Sequence, residues 1–371
     1  MKKLKSDLFF SVKEVDGHWW FIDPEGNPFF SIGLNHIDST GLRYPDNIHI
    51  WREKYQSDQM TWIKKGVAEN LKKWGFNTIG WVQEAVLVGE KNNRYKYCMH
   101  RHSNNWTVEE YQAAGIPYCH MLPFAEVHQW DLETRHPDVF NEAFEDWCDY
   151  VARHYCTVMA DDPNLIGYFF SDCPNWIHPS YNPKLKGPWF NPNMLNSKVG
   201  RQEFKAAIDQ YYKTIVESIR RYDKNHLILG DRLEGKQPLP DIVINTAAKY
   251  VDVLSFQYFD SYEKILSDFQ KWHEMTGLPI LLADAPVPRK RSSRKEFMEE
   301  GVSYEGQGEE YISYMRHFFK ASFMVGWHYC GAYMENRERR FGLLNRFDEP
   351  NEEITKYMSQ INHEIQESDY I

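Results

Sequence analysis

The chain has 371 residues, long enough for two average domains or for one α/β barrel with insertions. A formal net charge of −10 argues against nucleic acid and anionic membrane surfaces as partners, since both need a basic footprint. Hydrophobic content of 42% supports a large core, and 13 Trp and 23 Tyr suit either a bulky interior or a cleft that stacks flat sugar rings.

The N-terminus, "MKKLKSDLFFSVKEVDG", has the basic start of a signal peptide without an apolar segment of sufficient length. No run approaches the roughly 18 apolar residues of a membrane span. The expectation is a soluble cytoplasmic protein, or a secreted or periplasmic one whose leader has been removed. Six cysteines (98, 119, 148, 156, 173, 330) form no CxxC pair and suit reduced thiols, so the sequon at Asn105 carries little weight.

The segment "HWWFIDPEGNPFF" predicts a hairpin over residues 16–30, turning at Asp23 to Asn27, and its second arm runs into "FFSIGLNHID", the first barrel strand. A helix over 59–74, with Trp62, Ile63, Val67 and Leu71 near helical spacing, leads to "FNTIGW". A short helix over 108–114 leads to "IPYCHMLPF", and a long one over 138–158 to "LIGYFF". After a Pro- and Asn-rich insertion over 177–197, helix 198–221 precedes "HLILGDR" and helix 240–249 precedes "VDVLSFQYF". Helix 262–275 precedes "LPILLADAP", helix 306–323 precedes "MVGWHYCGAY", and a last helix covers 349–366. Eight continuous apolar runs, each followed by a helix, are the pattern of strands buried on both faces in a (β/α)8 TIM barrel. One barrel domain over residues 1–371 is the expected organisation. A doubly wound sheet is the alternative, but no GxGxxG follows an early strand.

In such a barrel the chemistry sits at the C-terminal strand ends. Those ends carry Asn35, His36, Trp81, His120, Asp172, Trp176, Arg232, Tyr258, Asp284 and Trp327, with Glu126 and Glu335 just beyond strands three and eight. Carboxylates, histidines and aromatics on one rim suit sugar hydrolysis, in which two carboxyl groups flank the glycosidic bond. Asp172 and Asp284, ending strands four and seven, are the expected catalytic pair, Asp172 as acid/base and Asp284 as nucleophile, or as general base if the enzyme inverts, although each also suits a capping residue in a turn. Asn35 and His36 could hold sugar hydroxyls, and Arg232 a hydroxyl, uronate or sulfate unless it neutralises Asp231. Trp81, Trp176 and Trp327 are candidate stacking platforms or core. His120, Glu126 and His128 lack the HExxH spacing, so no metal is expected, and no cofactor either. No GxSxG supports a serine nucleophile. The basic run at residues 288–295 suits a solvated loop or an anion site.

The blocks "DGHWWFIDPEGNPFFSIGLNHID", "LIGYFFSDCPNW", "LPILLADAP" and "MVGWHYCGAYMENRERRFGLLNRFDEP" resemble those of agarase-type glycoside hydrolases of clan A, from about residue 16 to 350. The resemblance implies retaining hydrolysis of β-linked oligosaccharides, with an Asn-Glu acid/base at the end of strand four and a Glu nucleophile at the end of strand seven. It also implies a strand-six Tyr, here Tyr258, hydrogen-bonded to the nucleophile. This sequence departs at both catalytic places: Asp172 stands on the Asn position, Cys173 on the acid/base position and Asp284 on the nucleophile position. Two shorter aspartates could widen the gap toward the inverting range. A sugar-binding pseudoenzyme and a sugar lyase are the alternatives to a hydrolase.

Overall fold

The computed structural model describes residues 8–87, 101–125, 137–174, 176–177, 192–236, 238–285, 306–337 and 341–368. An antiparallel sheet comes first, made of β1 (Ser11–Val15), β2 (His18–Ile22) and β3 (Pro28–Phe29). The β2–β3 turn is held by Asp23, whose carboxylate accepts from the Asn27 backbone at 2.8 Å and from its side-chain amide at 3.0 Å. The expected hairpin is therefore present, with β1 added to its outer edge.

Eight strands then close into one barrel whose order around the ring is the order along the chain. They are β4 (Ser31–Leu34), β5 (Thr78–Ile79), β8 (Tyr118–Met121), β9 (Leu165–Asp172), β10 (Leu227–Glu234), β11 (Leu254–Gln257), β12 (Ile280–Ala285) and β13 (Met324–Tyr329). A small ribbon, β6 (Ala85–Leu87) with β7 (Arg101–His102), lies between β5 and β8 in sequence. The helices that follow begin where a short polar side chain can accept an orphan backbone N–H. Asn141 caps Glu142–Met159, Ser197 caps Lys198–Tyr222, and Ser261 caps Tyr262–Thr276. Thr107 and Glu110 form a reciprocal capping box on Val108–Ala114. The helix expected over 59–74 is present, but its middle, Ile63–Ala68, is wound as a π-helix.

The chain divides into two compact units. The first comprises Met1–Phe29, Cys119–Asp284 and Ala321–Gly326. Here β9 pairs with β10 in parallel, and the register shifts twice along the ladder. Tyr168 and Phe170 point to the surrounding helices: Tyr168 donates to Asp223 at 2.7 Å, and Phe170 packs on Tyr212. Strict alternation would then turn Asp172 the same way. The extra residue between Phe169 and Asp172 instead gives Ser171 to Asp231 on the helix side and turns Asp172 toward Arg232. A further shift, between β11 and β12, pairs Gln257 with Asp284.

The second unit comprises Phe30–Tyr118, Ala285–Lys320 and Trp327–Ile371. Its strands β4 and β5 leave room for the ring of His328: a Cβ on Gly33 would strike that ring, and one on Gly80 would strike Asn35. The space is filled by a polar chain in which Ser31 Oγ donates to Thr78 at 2.8 Å and lies 2.8 Å from His328 Nε2. Among the described residues no helix is long and apolar enough to cross a membrane.

Candidate active site

At the C-terminal ends of β9, β10, β11 and β12, four side chains of the first unit converge. The Arg232 guanidinium, fully buried, lies 3.4 Å from Asp172 Oδ1 and 2.6 Å from Asp284 Oδ2. Its alternative role is overturned, because Asp231 faces the helices and accepts from Ser171 at 2.7 Å, Tyr211 at 2.9 Å and Tyr212 at 2.6 Å. Burial pushes the Asp231 carboxyl up to about 6 despite those three donors. With its nitrogen facing the carboxylates, the Gln257 amide donates to Asp172 Oδ1 at 3.3 Å and to Asp284 Oδ2 at 3.1 Å. One atom within reach of both sets an upper limit on their separation: the sum of those two distances.

Cys173 adopts a left-handed backbone at φ 45°, costly for a residue with a Cβ, and its thiol contacts the Gln257 amide. Burial, reinforced by the charges of Asp172 and Glu234, raises the thiol well above its ordinary range. Glu234 is a site residue that the pattern did not reveal. The expected strand stopped at Arg232, but β10 continues through Leu233 to Glu234 before Gly235 turns away. A Cβ on Gly235 would strike the Tyr258 ring. Glu234 is 7% exposed, is paired in register with Gln257 and accepts from the Lys236 backbone at 3.0 Å.

The second unit brings Asn35, His36 and Trp81 together. Asn35 Oδ1 accepts from the Trp81 backbone at 2.9 Å, and the His36 and Trp81 rings meet edge to face at 5.3 Å. His36 has φ 57°, and its Nδ1 lies 2.7 Å from the Gln83 carbonyl, so that nitrogen carries the proton. Its Nε2 then faces Cys330 Sγ at 3.3 Å. Trp81 Nε1 donates to Gln83 at 3.0 Å. Glu335 is half-buried beyond β13, its backbone N–H bonded to Leu344.

Four expectations are corrected. Trp176 is 2% exposed and packs on Tyr211 and Tyr212, so it is core and not a platform. Trp327 is closed in by Tyr311, Tyr314 and Phe318 of the helix Gln307–Lys320. His120 lies against Tyr155 of the helix Glu142–Met159, and burial lowers its imidazole to about 3, which keeps it neutral. Tyr258 donates its hydroxyl to Asp268 on the helix Tyr262–Thr276 in place of Asp284. Glu126, His128, residues 288–295 and most of the insertion lie outside the described residues.

No family model matches the chain. Over 238 residues, 62% of the chain, it is 24% identical to beta-agarase B of Vibrio sp. (strain JT0107), and it spans 21% of that relative's length. Its fold matches that of a crystallised agarase with a TM-score of 0.71 at 18% identity, covering 98% of this chain and 64% of that one. The match to an exo-beta-agarase has a TM-score of 0.70 at 17% identity, covering 98% and 66%. A GH2 beta-galacturonidase from Eisenbergiella tayi matches at 0.55 and 11% identity, covering 96% and 54%. These likenesses show the (β/α)8 barrel that this chain shares with agarases and other glycosidases.

Proposed function

We propose that this chain is a glycoside hydrolase acting on β-linked oligosaccharides, agarase-like or β-galactosidase-like and exo-leaning. The observation that carries the reading is the meeting of Asp172 and Asp284 on one guanidinium and one amide nitrogen, on a barrel shared with agarases. Barrel enzymes of this kind place their catalytic groups at these strand ends.

Asp172 Oδ1 and Asp284 Oδ2 both lie within reach of one amide nitrogen, at 3.3 and 3.1 Å, which supports their acting as a pair, and retention is what the resemblance implies. In this reading Asp284 attacks the anomeric carbon, and the register shifts offset the shorter side chains by bringing both aspartates inward. Arg232 orients the two carboxylates through fixed donors and spreads its charge over both. Asp172 is the second essential carboxylate, on the side of the leaving oxygen.

The test is a panel of marine and plant β-linked oligosaccharides offered to the wild type, Asp172→Asn and Asp284→Asn. Reducing sugar released by the wild type, with a loss of about 100-fold or more in each variant, is the expected result. Full activity in both variants overturns the assignment. A second reading, a carbohydrate-binding barrel without turnover, draws on Cys173: the residue at the acid/base position of the resemblance is a buried thiol with its pKa raised. Tight sugar binding with no product from any member of the panel would establish it.

A further inference from the structure

The hydrolase reading requires a carboxyl group that carries a proton at working pH, and both aspartates share the permanent charge of Arg232. We propose that Glu234, at the end of β10, is the proton donor to the leaving oxygen, a catalytic residue that adds a third carboxyl to the Asp172–Asp284 pair. This rests on the hydrolase reading and assigns the acid within it.

Glu234 is a buried carboxyl two residues beyond the guanidinium that the two aspartates share. Glu234 ends its strand on the same rim as Arg232, in register with Gln257, the residue that contacts both aspartates. Among the described residues it makes no ion pair within 4.0 Å. The nearby ammonium of Lys236 turns to Asp260 at 3.4 Å and to the Phe259 carbonyl at 3.1 Å. The titratable and charged groups around it are Asp172 and Cys173 at the end of β9, Arg232 on its own strand, Tyr258 beyond β11, Asp284 on β12, and Lys236. Burial, with the charges of Asp172 and Asp284, pushes the Glu234 carboxyl up to about 7, against the opposing influence of the Lys236 backbone N–H and ammonium. A donor near the working pH is what general acid catalysis favours.

The step balances without a co-reactant. As Asp284 forms its bond to the anomeric carbon, the bond from that carbon to the glycosidic oxygen breaks, its electron pair stays on oxygen and the Glu234 proton moves to that oxygen, leaving a carboxylate. In the second half that carboxylate takes a proton from the water that attacks the anomeric carbon, the bond to Asp284 breaks with its pair returning to the aspartate, and Glu234 is again an acid.

The test uses the full chain, an oligosaccharide cleaved in the panel, and an aryl glycoside of the same sugar whose phenolate leaves without protonation. Glu234→Gln is expected to lower kcat/KM on the oligosaccharide by about 10²- to 10⁴-fold, to spare the aryl glycoside within about tenfold, and to abolish the fall in rate as pH rises through about 7. Glu234→Asp, which keeps a titrating carboxyl, is expected to retain that basic limb at a reduced rate. The proposal is overturned if the wild type lacks the limb, if the limb survives in Glu234→Gln, or if both substrates lose activity equally. A wild type that cleaves no β-glycoside sinks the hydrolase reading and this proposal together; a limb that survives with activity present sinks only the proposal.

Discussion

Two strand-end clusters, one in each unit, use the same backbone device for different ends. Cys173 in the first and His36 in the second both hold a left-handed backbone just past a strand, at φ 45° and 57°. Around Cys173 the neighbours are Asp172, Arg232, Asp284 and Glu234, four ionisable groups at nearly full burial. Around His36 they are Asn35, Trp81, Gln83 and Cys330, joined by neutral hydrogen bonds. The first cluster concentrates charge where a charged transition state can use it, and the second is fixed by hydrogen bonds to side chains and backbone. The sharpest way to break this contrast is to remove the cation. Arg232→Leu leaves two buried aspartates facing each other, and urea unfolding at pH 8 should show a loss of about 3–5 kcal/mol. A loss below about 1 kcal/mol would mean that Arg232 does not hold the cluster together.

The next largest effect is a pH dependence carried by Glu234 in the charged cluster. The Glu234 carboxyl is raised from 4.5 to about 7 in the folded chain, so the folded state binds the extra proton. Stability from this group is fully present below the unfolded value and is lost as pH rises through the folded one, by an amount on the order of 2–3 kcal/mol. His120 acts in the opposite sense. Its imidazole, lowered from 6.5 to about 3, makes stability fall as pH drops below the unfolded value. Subtracting the urea-unfolding profile of Glu234→Gln from that of the wild type, between pH 5 and 8, isolates the glutamate. Parallel profiles would show that its burial has no thermodynamic consequence.

In the neutral cluster the counterpart is Asn35→Ala, which leaves the buried Trp81 N–H without its acceptor at 2.9 Å. A loss of about 1–3 kcal/mol is expected, with no change in the pH profile of activity. A shifted basic limb would overturn that expectation.

How much of this was legible follows from what each feature depends on. Parallel strands buried on both faces must be continuously apolar, so all eight barrel strands could be seen, and Asp172 and Asp284 stood out as the polar residues that end such runs. Orientation within a strand was harder. In "MVGWHY" alternation puts only one of Trp327 and His328 inside, and the small residues Gly33 and Gly80 beside the His328 ring indicate which. Read together they would have removed Trp327 from the platforms. The register shifts that turn Asp172 inward depend on the neighbouring strand and leave no local trace. Glu234 was missed because Asp231 and Arg232 looked like the end of a strand, although Leu233 continues its apolar character up to Gly235.

The smallest expected effect tests the boundary of the charged cluster. By resemblance, Tyr258 should hold the strand-seven carboxylate, and its removal should then cost activity heavily. In this chain the hydroxyl donates to Asp268, a carboxylate that Lys264 also reaches at 2.7 and 2.8 Å, so the bond ties the end of β11 to the helix that follows. Tyr258→Phe keeps the ring that packs on Phe269 and Trp272 and deletes only that bond. Asp268 keeps the Lys264 ammonium, so no buried charge is stranded, and the loss in unfolding free energy should be about 1 kcal/mol. kcat/KM should change by less than about threefold. A fall of about 100-fold with stability intact would place the hydroxyl at the reacting carboxylate during turnover, and would extend the charged cluster to β11.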